Sequence, residues 1–578
     1  MKKILNTFFK EERLTILAII IFVALNVYFL TFPSKILGKI IDLLYNIEAH
    51  KTTIIKYIVF LILFSIFSLI IRVVWKSLVG KTTRRLEKVL KDKLFDNFLK
   101  LKLSSIQNIK NGEIMSYFVK DIGEIRTLFY RLLSHGTRIV FILIIATYTM
   151  QTVNTKLTIA TLCPMVITAI IIIILKKYVE KSFAKSQKYF TNLSEYVQES
   201  TDAIRTTKAY SGEINQYKKF IKKNNLLKRS NIAVDIYSTL LSTSVNICFG
   251  CCYGITILYG SKLVLNKEIS IGDFVAFNGY IDLFFTPISW LPGIIAKIKR
   301  AKISYKRLEN VFNLEKENLM LAEKNEPKLH GNILINNLSF NYPGNIEKVL
   351  ENITIHVKEG ETLGIIGTIG SGKTTLMNLL LRLYPVPDNK IFINGTDINK
   401  IDLQFLRKSI CYITQDNFLF STTIKENISL FQNRFKDSEI EESTEQAMLS
   451  SDLKNMKNGI YTVIGERGID LSGGQKQRVV ISRAFLNKSD IVIFDDTFSA
   501  LDNKTEENLL NNIKELVKGK TCIIISNRIS DVKDADKIIV LDSGKIVEQG
   551  IHVQLLQNNG LYTKFYNQQS SKENFLLS

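Results

Sequence analysis

Along the first half of the chain the apolar residues follow neither a strand nor a surface-helix spacing. They run almost unbroken, for the roughly 20 residues a helix needs to cross about 30 Å of hydrocarbon. Six such runs are predicted as spanning helices, at 14–32, 54–75, 139–153, 157–175, 236–259 and 271–298. Lys2, Lys3, Lys10 and Arg13 precede the first, as in a secretory leader, but no small-residue cleavage site follows, and Pro33 with Lys35 closes the run, so it is read as a retained helix. The loops after the second and fourth runs are roughly 60 residues long and carry helical periodicity, which predicts that the spanning helices continue well beyond the bilayer. The stretch Arg84, Arg85, Leu86, Glu87, Lys88, Val89, Leu90 is an example.

Beyond the last run the pattern changes. Short apolar segments alternate with Gly, Asp and Asn, as in a soluble α/β domain, and 333–342 and 364–367 read as strands. A polar stretch from 315 to 328, with Pro327 near its end, separates the two patterns. The predicted fold is a membrane all-α domain of six helices with long cytoplasmic extensions (1–318), a linker (319–329) and an α/β P-loop domain (330–578). A chain of 578 residues is too long for one core in any case.

The net charge of +22 would suggest nucleic acid in a soluble protein. Here the stretches 76–134 and 176–235 each hold about a dozen Lys or Arg, against about six in the other three connections together, which orients both long loops, the N-terminus and the second domain to the cytoplasm. That distribution accounts for the charge, and no nucleic acid partner is expected. Cys163, Cys248, Cys251, Cys252, Cys411 and Cys522 form no CxxC pair and have no His at ligand spacing; they are read as small buried hydrophobes.

The chemistry lies in the second domain. Gly367, Thr368, Ile369, Gly370, Ser371, Gly372, Lys373 and Thr374 match GxxxxGK[ST] between an apolar strand and a helix-like segment that opens with Thr375. In that setting the glycines let backbone N–H groups face phosphate oxygens, the helix start adds its positive end, Lys373 reaches the outer phosphates and Thr374 coordinates magnesium. About 120 residues on, Ile491 to Phe494 run into Asp495 and Asp496, a buried strand ending in carboxylates, of which Asp495 is suited to hold Mg2+. Between them, Leu471, Ser472, Gly473, Gly474 and Gln475 precede a helix and form a second candidate anion site.

With its phosphate loop and LSGGQ, the chain resembles a half-transporter of the ATP-binding cassette (ABC) exporter family over nearly its whole length. The resemblance implies ATP and Mg2+ as cofactors, with Tyr342 stacking on adenine. Gln415 corresponds to the glutamine that senses magnesium, Glu466 to the loop before LSGGQ, and Ser499, Ala500, Leu501 and Asp502 to the loop crossing the dimer interface. Asn111 to Ile114 with Asp121, and Lys208 to Tyr210 with Glu213 and Phe220, resemble the two cytoplasmic loops. Coupling helices are expected near 104–111 and 210–217. Two chains then share one pathway, exporting a small molecule, lipid or peptide across the cell membrane.

Two positions depart from the family. Asp496 stands where most members have the Glu that polarises water, and Asn527 stands where the family has His, which alone of the two can carry a proton. With Gln415 they make up the expected catalytic set. The pattern resembles the degenerate-site subunit of heterodimeric bacterial multidrug or peptide exporters, whose non-identical partner hydrolyses ATP against this chain's Ser472, Gly473, Gly474 and Gln475. The alternatives are a homodimer with two slow sites, or an ATP-gated channel or regulatory membrane protein. Asp282, a carboxylate inside the sixth run, is a candidate substrate contact or a structural hydrogen-bonding group. Phe249, Tyr253, Phe284 and Phe285 could line a cavity or pack between helices.

Overall fold

The computed structural model describes residues 1–45, 51–107, 109, 111–317, 329, 331–345, 347–465, 471–498 and 503–577. Glu466, the run 499–502 and all of the expected linker except Leu329 lie outside the described residues. The chain divides into two compact units: Met1–Leu99 with Ile109–Leu314, and Lys100–Asn108 with Glu315–Ser578.

The first unit is helical. After the short α1 (Lys2–Glu11) come α2 (Arg13–Tyr45) and α3 (Lys51–Leu99). The segment α4 (Leu103–Gln107) belongs to the second unit. A composite run follows, built from α5 (Asn111–Ser116), α6 (Ile122–Arg131) and α7 (Thr137–Val153), joined by π-helical turns at Tyr117–Asp121 and Leu132–Gly136. Asn154 ends α7 and caps α8 (Thr155–Asp202) by accepting from Leu157 N at 3.0 Å. Next are α9 (Ile204–Ala209), α10 (Glu213–Ile255), α11 (Ser261–Leu265) and α12 (Ile271–Phe312). At 1.5 Å per residue the 48-residue α8 is about 72 Å long, well over twice the thickness of the hydrocarbon core.

Five helical stretches among the described residues are long and apolar enough to cross a membrane. The sixth expected span, 271–298, lies within α12, several of whose side chains fall outside the described residues. The helix itself forms and packs on α2, where Gly38 and Gly272 bring the two backbones together and leave no room for a Cβ on either. Asp42 closes this contact, accepting from Ser270 Oγ and Gly272 N, each at 2.7 Å. The membrane core gathers Val23 and Val27, Trp75 and Val79, Ile142 and Met150, Leu157, Cys252, and Phe277 and Ile281 from six helices.

In the second unit β1 (Ile333–Phe340) and β2 (Leu350–Val357) pair antiparallel, and β3 (Thr362–Gly367) leads into α13 (Lys373–Leu380). The remaining strands are β4 (Ile391–Ile393), β5 (Thr396–Asp397), β6 (Ile410–Ile413), β7 (Ile491–Asp495), β8 (Thr521–Ile525), β9 (Lys537–Asp542) and β10 (Lys545–Gly550). Among the described residues they form a four-stranded sheet, β2-β1-β4-β5, and a six-stranded sheet, β10-β9-β3-β8-β7-β6, parallel except for its β9–β10 hairpin. The buried strands feed two cores by simple alternation: Val492 and Phe494 enter one, Ile491 and Ile493 the other. Parallel strands place their carboxyl ends along one edge, so Gly367, Asp495 and Ile525 open neighbouring loops there.

Cys248, Cys252, Cys411 and Cys522 are buried as expected; Cys163 and Cys251 are exposed on helices of the membrane unit, where an apolar thiol can face lipid.

Candidate nucleotide site and its companions

Gly370 and Gly372 take φ of +84° and +98°, and a Cβ on Gly372 would lie 2.7 Å from Leu350 Cδ2 and 3.0 Å from Val349 O. Between β3 and α13 the loop is therefore cinched against the β1–β2 connection. Ser371 N donates to Thr368 O at 3.2 Å, and Lys373 Nζ donates to Gly367 O at 2.8 Å and Thr368 O at 2.9 Å. Ile369 is 95% exposed, so it can serve a ligand only through its backbone. Thr368 Oγ1 donates to Asp542 at 2.9 Å, and Thr375 Oγ1 shares a 2.8 Å hydrogen bond with Tyr342 OH. Tyr342 packs edge-on against Tyr384 with ring centroids 5.0 Å apart.

Asp495 is buried at the end of β7, where the hydroxyl of Tyr412 donates to it at 2.9 Å and that of Thr374 acts on it from the phosphate loop. Burial pushes its carboxyl above the usual carboxylate range, although both hydroxyls pull the other way. Burial likewise lowers the Lys373 ammonium, which Asp496 and Asp495 hold up. A phosphate and a divalent ion fit this set. Ser371 Oγ is buried with no partner, and one hydroxyl plus one or two carboxylates is the sparse protein ligation that Mg2+ tolerates beside phosphates.

The next residue, Asp496, has φ +48°, a left-handed backbone that Asp tolerates better than most. Its N–H donates to Ile525 O at 2.8 Å. Its Oδ2 accepts from Gln415 Nε2 at 3.2 Å and from Asn527 Nδ2 at 3.5 Å. Three loops from three strand ends thus converge on one carboxylate oxygen, and two of the groups meeting it are amides that cannot take a proton.

The segment 471–475 is built as a helix start. Ser472 caps Gly473–Leu486 in a reciprocal box with Gln475, whose Nε2 also donates to Asp452 at 2.9 Å, and Arg478 pairs with the same carboxylate at 2.8 Å.

At the first expected coupling position, 104–111, the described residues hold α4. Leu103 packs on the core beneath β1 and β2, Tyr384 OH donates to Gln107 at 2.5 Å, and Lys102 pairs with Glu315 at 2.7 Å. The second expected position, 210–217, is a turn followed by the start of a helix. The preceding helix is α9, ending at Ala209; residues 210–212 form a turn in which Ser211 has φ +51°, and α10 starts at Glu213. Tyr210, Ile214 and Tyr217 around that turn are 83%, 70% and 64% exposed.

Asp282 accepts a short hydrogen bond from Tyr253. Phe249 and Phe284 are core residues rather than cavity lining, while Phe285 is exposed and edge-on to Phe249 at 4.9 Å.

Sequence reading missed three residues. Tyr412 steadies Asp495, Asp452 clasps the LSGGQ helix, and Gln569 in the C-terminal helix Leu561–Leu577 accepts from Ile529 N (2.9 Å) while donating to Asn527 O (2.7 Å). Tyr412 sits three residues before Gln415 on the strand beside β7, which was a usable signal. Asp452 and Gln569 lie 23 and 40 residues or more from their partners, with no motif to mark them.

A phosphate loop and a capped LSGGQ helix in one α/β unit, behind long apolar helices, define an ATP-dependent membrane transporter. Family models agree: residues 16–288 match the ABC transporter transmembrane region and 350–499 the ABC transporter domain. The chain is 32% identical, over 98% of its length and 97% of the other's, to a probable multidrug resistance ABC transporter ATP-binding/permease protein (YheI) of Bacillus subtilis strain 168. It is 31% identical over 86% of its length to 70% of the leukotoxin translocation ATP-binding protein LktB of Mannheimia glucosida. A solved ATP-bound bacterial Atm1-family ABC exporter superposes with a TM-score of 0.80, covering 96% of this chain and 99% of that one at 23% identity, a likeness of fold. The chain belongs to the ABC exporter family: it spans the membrane, carries its nucleotide-binding unit in the cytoplasm and couples ATPase activity to transport.

Proposed function

We propose that this chain is one half of a two-chain exporter, working with a non-identical partner, in which its own phosphate-loop site binds ATP and turns it over slowly. The observation that carries this reading is the setting of Asp496, whose Oδ2 meets the amides of Gln415 and Asn527. A short carboxylate facing Asn has neither the reach of Glu nor the proton capacity of His. Lys373 and the loop 367–375 would hold the phosphates, Tyr342 the adenine, and Thr374, Asp495 and Gln415 the magnesium, which neutralises phosphate charge when bound. Ser472 to Gln475 would complete the partner's site, where hydrolysis resets the pair.

The exposed aromatic turn at 210–217 supports a second chain, since three large apolar side chains there await cover. In this reading α12 is the sixth span, and the domain limits are 1–318, 319–329 and 330–578. The relatives named for multidrug resistance favour amphipathic small molecules as cargo over peptides. Asp282, already bonded to Tyr253, is a structural or gating group before it is a substrate contact.

The test is ATP turnover of the purified chain alone and with its candidate partner, each with and without Asp496→Asn. A nearly inactive chain, and a pair indifferent to the substitution, support a holding site. Brisk turnover by the chain alone, abolished by Asp496→Asn, would establish Asp496 as a working base in a homodimer.

A further inference from the structure

Two sets of basic side chains in the membrane unit differ in their surroundings. One group is paired: Arg85 with Glu12 (2.5 Å), Arg126 with Glu87 (3.3 Å), Lys297 with Glu124 (2.8 Å) and Arg307 with Asp121 (3.2 Å), while Lys176 and Lys299 share Glu180. The other group, Arg72 and Lys76 on α3 with Arg131, His135 and Arg138 on the α6–α7 run, sits where the apolar stretch of each helix ends. Among the described residues none of these five has a carboxylate partner, and the Nε atoms of Arg72 and Arg138 are buried without any hydrogen bond.

They converge. Residues 72 and 76, and 131, 135 and 138, share helix faces by spacing. Arg72 and Lys76 lie on α3, which packs on α6 and on the π-helical turn Leu132–Gly136 that holds His135. From α12, Trp290 lies against His135 with ring centroids 4.2 Å apart, the Arg138 guanidinium sits 5.5 Å from the indole centroid, and Arg131 Nη1 fills the space beside Gly293.

The positive-inside tendency explains basic loops in water, but it does not explain guanidinium nitrogens buried without partners around an indole. Like charges held together at an apolar boundary are expensive unless something of opposite sign joins them, and in membrane helices such groups face cavities or partners. Two forked guanidiniums recognise a phosphate or carboxylate, and the indole offers an apolar plate beside it.

We propose that Arg72, Arg131, His135 and Arg138 bind the anionic head group, phosphate or carboxylate, of an amphipathic molecule whose apolar body lies against Trp290. This names a cargo class for the exporter reading and rests on it. The site itself is tested without nucleotide, so the two can fail separately.

The chain has two tryptophans, so Trp75→Phe leaves Trp290 as the sole indole reporter. The full chain, in phosphatidylcholine nanodiscs, is titrated with dodecyl phosphate, dodecyltrimethylammonium and dodecyl maltoside while Trp290 emission is followed. Saturable change with the phosphate alone is expected, weakened about tenfold or more by Arg138→Gln or Arg72→Gln and less by Arg138→Lys, which keeps the charge but loses the fork. Equal responses to all three amphiphiles, or unchanged affinity in both Gln variants, would overturn the proposal. Nanodiscs containing phosphatidylglycerol separate two sources of the same head group. If a resident lipid fills the site, the anionic lipid shifts Trp290 emission and blocks dodecyl phosphate. If a transported anion does, dodecyl phosphate still binds, and it accumulates on adding ATP in inside-out vesicles that carry this chain with its partner. ATP turnover of the same variants, measured in parallel, reports on the exporter reading alone.

Discussion

Lengthening Asp496 to Glu is the most direct perturbation of this site. The added methylene advances the carboxylate by about 1.5 Å. A misplacement on the order of 1 Å can cost about a hundredfold in rate, or roughly 2.7 kcal/mol. Reach is only part of the account, because Oδ2 is tethered by Gln415 at 3.2 Å and Asn527 at 3.5 Å. Advancing past those amides forfeits both bonds, at about 1 kcal/mol each. The net gain is about 0.7 kcal/mol, so the single variant Asp496→Glu is expected to raise turnover at this chain's own site by about threefold, and Asp496→Glu with Asn527→His, which also restores a proton-carrying group, by about a hundredfold. Vanadate trapping with radiolabelled 8-azido-ATP marks the chain whose phosphate loop has turned over, so the rise is read on this polypeptide whatever partner is present. If neither variant traps more nucleotide than the native chain, slowness does not originate at Asp496 and Asn527, and the argument from their geometry is wrong.

Three further outcomes follow from the same site. Because burial raises the Asp495 pKa in the folded state, the stability this group contributes is full below the ordinary carboxylate range and is lost as pH rises through its folded value. Asp495→Asn should therefore raise the melting temperature of the nucleotide-free protein at neutral pH, leave it unchanged under acid conditions, and abolish stabilisation by Mg-ATP, all readable by differential scanning fluorimetry. Gln569→Ala removes both clamps on the 527–529 backbone, each worth about 1 kcal/mol, and should speed hydrogen exchange there by roughly tenfold while exchange in β7 stays constant; unchanged exchange would rule the clamp out. Gly372→Ala forces a methyl toward Leu350 at a φ of +98° and should weaken ATP binding more than tenfold in filter binding, whereas alanine at Ile369, with its side chain in solvent, should leave it unchanged.

What was legible in the sequence was what local spacing encodes. The phosphate loop, β7 with its terminal carboxylates, the LSGGQ cap and the long apolar runs are each contiguous, so periodicity and glycine placement sufficed to find them. Gln415, Asp496 and Asn527 were identifiable singly, but their meeting on one oxygen depends on β6, β7 and β8 ending side by side. Gln569 and Asp452 act through side-chain bonds between distant segments, which leave no periodic trace. The expected helix over 210–217 came from the family resemblance of that loop, which carries no signal for the turn the backbone makes at Ser211 before α10.

The glycine contact between α2 and α12 limits how this membrane unit can move. With backbones touching at Gly38 and Gly272 and Asp42 stitched across their ends, the two helices form a single plank. A seam without side chains has nothing to slide on and no rotamers to rearrange, so alternating access must use other joints. Either glycine changed to Ala would prise the plank apart and so spoil the piece that has to swing without bending.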